Sequence, residues 1–152
     1  MSARTFSLDS SVEQRLAARL YNRVLELLSR DDRSVMEDDE MLHAAHASRH
    51  HWGQVGEHEH WARGEWLCSR VYAKLGRAEP SLHHGRRCLE LSEEHKLSSF
   101  DVGSAHEAIA RAAKLAGLDD HAAKHAALAL AQAEQLTDPE ERQLLLTDIT
   151  SL

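Results

Sequence analysis

Strand-formers, prolines and catalytic signatures are all scarce in this chain. β-Branched residues never alternate over the length of a strand, so a sheet is not expected. Only two prolines and seven glycines occur in 152 residues, and nearly all sit where a helix would start or stop. The two cysteines, Cys68 and Cys88, form no CxxC pair, and both fall among apolar positions as expected of packed core thiols. No GxSxG, phosphate-loop or dinucleotide glycine pattern is present, which lowers hydrolase, nucleotide-hydrolysing and dehydrogenase readings. No apolar run approaches bilayer length, and MSARTFSLDSS lacks the apolar segment of a secretory leader, so no membrane association and a cytoplasmic location are expected. With 25 acidic residues against 18 basic ones, the net charge of -7 repels phosphate backbones and argues against a nucleic-acid partner.

What remains is a helix-forming sequence with regular punctuation. A first helix is expected over residues 11–29, with Val12, Leu16, Leu20, Val24 and Leu27 as its apolar stripe and Ser10 and Glu13 at capping-box spacing. A second, over 35–52, starts from Ser34 with Glu37 as the matching acid, and Gly53 and Gly56 mark the turn after it. Hairpins follow over 57–93 and 98–135, broken at Gly76 and Gly117, with Ser98 capping the second and Gly85 allowing a close helix crossing. A capping helix over 139–151 opens on Asp138, Pro139 and Glu141. Residues 1–152 thus read as one all-α domain of about seven helices in stacked antiparallel hairpins.

Two stretches repeat this layout. GEWLCSRVYAKLGRAEPSLHHGRRCLEL (64–91) and HEAIARAAKLAGLDDHAAKHAALALAQ (106–132) each carry a helix, a turn glycine and a second helix, and Gly76 and Gly117 lie 41 residues apart. Tyr72 stands four residues before Gly76, Ser81 and Ala122 five residues after each turn glycine, and Cys88 and Ala129 at a later small position. In these positions residues 57–135 resemble the tetratricopeptide repeat (TPR) family, although 41 exceeds that family's roughly 34 residues and Gly85 and Ala126 replace its aromatic. The resemblance implies a right-handed superhelix of hairpins whose concave face binds peptides or supports self-assembly.

Histidine is the residue in excess. Six of the 12 fall between His43 and His60. On a helix His43, His46 and His50 share about 60° of arc, and Glu65 can approach them from the antiparallel third helix. That quartet is the expected metal set, with zinc, iron, nickel or copper as the divalent ion. Trp52, His58, Trp61 and Trp66 complete a pocket between the second and third helices, unless the tryptophans serve only as core. His121 and His125, near Lys124, read as solvent-facing, and His95 as part of an inter-repeat loop.

Two functions follow as expectations. The first is an interaction or self-assembly module, with a protein or peptide partner or a second copy as a homodimer. The alternative places a metal-dependent or acid–base enzyme, or a small-molecule binding protein, at the His/Glu/Trp pocket.

Overall fold

The computed structural model describes residues 7–152, so the first six, where no secretory leader is read, lie outside the described residues. Every regular element among those described is an α-helix: α1 (Ser10–Leu28), α2 (Val35–Val55), α3 (His58–Lys74), α4 (Ala78–Glu94), α5 (Ser99–Leu115), α6 (Asp119–Gln135) and α7 (Pro139–Thr150). None is long and apolar enough to cross a membrane.

Most helix ends follow the expected local chemistry. Ser34 and Glu37 exchange both bonds of a capping box, Ser98 accepts the Asp101 N–H, and Asp138 accepts those of Glu140 and Glu141 behind Pro139. Two ends differ. Asp9 caps α1 by accepting from the Ser11 and Val12 N–H groups, so Ser10 is already helical. The second helix does not stop at Trp52 but runs through Gly53 and breaks at Gly56. A helical glycine costs only about 1 kcal/mol, less than burial of a tryptophan beside it returns.

The repeat is regular in the backbone. Helices α3 and α5 start at His58 and Ser99, and α4 and α6 at Ala78 and Asp119, all four of them 17 residues long. Gly76 and Gly117 both adopt φ of 75°, closing matched Schellman turns in which Arg77 N–H donates to Tyr72 O and Leu118 N–H to Ala113 O. At Gly85 a Cβ would stand 3.3 Å from the Ile109 backbone nitrogen, so α4 crosses α5 closely, as its sequence suggested.

Helices pair most extensively as α1 with α2, α3 with α4 and α5 with α6. The odd-numbered helices also touch in series, α1 on α3, α3 on α5 and α5 on α7, whereas no backbone-level contact joins the even-numbered ones. The helices α1, α3, α5 and α7 thus form one continuous layer, termed the inner layer below. This is a repeat-like helical packing.

The main core joins Val24 and Leu27 of α1 to Met41, Ala44 and Ala45 of α2 and Leu67, Cys68 and Val71 of α3. A second cluster gathers Ala62, Cys88, Leu91 and Ala105. The expected stripe of α1 is half right. Val12 and Leu16 are 44% and 36% exposed, while Glu13 and Ala17 are buried. Repeated steps of four drift off a 3.6-residue period, and the buried face runs instead through positions 13, 17, 20, 24 and 27. Both cysteines are buried free thiols, as expected.

Candidate functional site

The expected metal quartet does not assemble. His43 and His50 are exposed, His46 is half-buried, and Glu65 turns to partners other than these histidines. Among the described residues no group of three or more His, Cys, Asp or Glu side chains converges to hold a metal ion. The cause lies in the phase of α2. Met41, Ala45, Ser48 and Trp52, at steps of four, three and four, form its buried face. His43 and His50 each stand two residues off that stripe, about 160° away, and point to solvent.

The aromatic members separate as well. Trp52 is buried with its ring stacked on His60 at 4.2 Å, and its carbonyl accepts the Trp61 indole N–H at 3.0 Å. His58 stacks on His95 at 3.5 Å, while Trp66 reaches the far side of α3 and donates to Glu107. These residues knit helices together; Trp52 borders one of the clefts described below and Trp66 another, while His58 and Trp61 border neither.

What does assemble around Glu65 is a different polar cluster. Its two carboxylate oxygens take Arg49 of α2 at 3.1 Å and His84 of α4 at 2.6 Å. Burial raises the pKa of Glu65, but His84 and then Arg49 outweigh it and hold the carboxyl below its usual range. His84 stacks on Tyr72, whose hydroxyl lies 2.8 Å from His46 Nε2. Burial, then the neighbouring His84, lowers the pKa of His46. Cys68 lies next to His46, but burial pushes its thiol up to about 12, which leaves no nucleophile there. Sequence reasoning missed Arg49 and did not join His84 to Glu65, because both contacts are tertiary and carry no local spacing.

Open space beside the other layer is more extensive. Three clefts follow one another along the inner helices. The first, of about 460 Å³, is lined by Ala18, Tyr21, His60, Arg63, Phe100 and Leu144 among others. A deeper one of about 220 Å³ lies between Tyr21 and Leu25 of α1, Trp66 of α3, Phe100 of α5 and Leu144 of α7. The third, of about 690 Å³, is bordered by Leu28, Arg70, Lys74, Arg111 and Lys114. Each inner helix contributes in register, as α3 does with Arg63, Trp66, Arg70 and Lys74. From Arg63 to Lys74 the helical rise gives a groove about 16 Å long, room for about five extended residues.

The groove floor is braced by buried charge. Glu107 is fully buried and accepts from Arg70 at 3.1 Å, Arg111 at 2.8 Å and Trp66 at 3.4 Å. Arg111 continues to the Asp148 carbonyl at 3.0 Å and Ser151 Oγ at 2.6 Å, tying α7 to α5. Asp148 lies 3.5 Å from Arg70, and burial, then Glu107, raises its pKa against the pull of the two arginines. Arg63 pairs with buried Asp101 at 2.9 Å under Phe100.

No family model, curated protein or solved structure matches this chain. The assignment of a site therefore rests on geometry. The Glu65 cluster is internally satisfied and borders none of these three clefts. The inner groove is open, partly apolar and lined from four helices.

Proposed function

We propose that this protein is an interaction module, TPR-like in its layout and right-handed sense, whose inner groove holds a short segment of a partner protein. One observation carries the reading. Large apolar side chains stay in reach of water where the inner helices converge: Leu25 is 39% and Leu144 59% exposed, facing the same cleft with Tyr21, Trp66 and Phe100. Apolar side chains gathered at a concave site, beside hydrogen-bonding groups such as Ser104 and the Arg63–Asp101 pair, suit a peptide that brings one apolar anchor and its own backbone.

The metal-dependent and acid–base alternatives gain no support from the placement of His43, His46, His50 and Glu65. A second copy of the chain, the homodimer expected from the sequence, is the other occupant to test. Selection of a random peptide library on the purified protein tests the reading, with sedimentation run at several concentrations beside it. Selected peptides should bind the wild type and lose about tenfold or more in affinity to Leu144→Glu and Leu25→Glu, since each replaces burial worth about 1.5–3 kcal/mol. Binding unchanged in both variants, or dimerisation abolished by them with no peptide selected, would reject the peptide groove.

A further inference from the structure

The buried face of α6 is unusual in having almost nothing on it. Its buried residues are Ala122, His125, Ala129 and Ala133, so His125 is the one buried side chain there larger than a methyl group. His125 meets His106 of α5 with Nδ1 to Nδ1 at 2.9 Å, both rings less than a tenth exposed. That contact holds a single hydrogen: one nitrogen donates it and the other accepts. With both rings protonated, two N–H groups would point at one another across 2.9 Å and two positive charges would share a seam with little water. Double protonation and the closed seam exclude each other.

The surroundings sharpen this. From α4 come Arg86 and Glu93, and from α6 itself Lys124 and His121, so one carboxylate faces two fixed cations and a third imidazole. The His121 ring lies 4.6 Å from that of His125, and its buried Nε2 has no hydrogen-bond partner.

We propose that the His106–His125 contact is an acid latch, which releases α6 from α5 when both rings take up protons while α1 to α4 remain folded. This inference stands apart from the peptide groove. Burial, and then His106, His121, Lys124 and Arg86, push His125 down to about 4, and burial lowers His106 despite Glu93. Both shifts are downward, so the released helix binds protons more readily than the docked one. The latch is intact above about pH 6.5 and loses hold as the pH falls toward the folded values.

Amide hydrogen exchange on the full chain, corrected for the intrinsic pH dependence, reads the latch helix by helix. Between about pH 7.5 and pH 5, protection in residues 119–135 should fall at least about tenfold relative to residues 58–74. His125→Asn and His106→Asn keep a hydrogen-bonding group near Nδ1 but cannot titrate; each should reduce that difference, and the double variant should abolish it. A uniform loss across all helices, no loss in α6, or a loss undiminished in both single variants or surviving in the double variant would overturn the proposal. If neither variant folds, NMR titration of the wild-type imidazoles decides. Two separated steps, the second well below an ordinary histidine, support the latch, and two independent steps near about pH 6.5 overturn it.

Discussion

Glu107→Gln is the perturbation whose cost can be worked most directly from the structure. The carboxylate is fully buried and is the shared acceptor of Arg70, Arg111 and Trp66. Glutamine keeps the shape and one acceptor oxygen but removes the charge that compensates two guanidinium groups. Each charge-assisted bond contributes about 1.5–3 kcal/mol, and breaking a buried pair from one side costs about 3–5 kcal/mol. Here the arginine side chains remain 22% and 20% exposed and can turn toward water, which places the loss at the lower end, about 3 kcal/mol. Against a total stability of about 5–15 kcal/mol for a small domain, that is a large fraction. Urea unfolding followed by circular dichroism should show a lower midpoint with an unchanged slope, and a melting temperature reduced by about 6–12 °C. A loss below about 1 kcal/mol would mean that Glu107 does not brace α3 against α5 as described.

Other predictions follow from single positions. Gly76→Ala and Gly117→Ala should each destabilise by about 1–2 kcal/mol, because both backbones are left-handed at φ 75°, and Lys96→Gly, at φ 51°, should stabilise by about 1 kcal/mol in the same denaturation assay. Cys68 and Cys88 should not react with a thiol reagent at neutral pH until the protein unfolds, since burial raises both thiols, Cys68 to about 12. Rapid labelling of the native protein would refute their burial. His43→Ala and His50→Ala should change stability by no more than about 0.5 kcal/mol, as expected of exposed side chains off the packed face.

The backbone was largely legible because its signals are local. Ser34 with Glu37, Asp138 with Pro139, and the two turn glycines each act within a few residues, and each appears where the spacing placed it. The histidine site was not legible, for a reason visible in α2. His43, His46 and His50 do form a stripe, but so do Met41, Ala45, Ser48 and Trp52, and apolar burial decides which of two stripes turns inward. His121 and His125 misled in the other direction. On a helix of alanines a histidine reads as solvent-facing, yet His125 is buried against His106, since α5 supplies a partner nitrogen. The groove drew on Tyr21, Phe100 and the α7 pair Leu144 and Asp148, which are spread over three helices that no local spacing joins. Only the order of the stack unites them.

The groove account is tested most directly by mapping a selected peptide onto the protein through backbone amide NMR shifts. Shifts concentrated at Leu25, Trp66, Phe100, Ser104 and Leu144 on the inner helices are the predicted result. Shifts gathered instead around His46, Glu65 and His84, or spread over α2, α4 and α6, would contradict it.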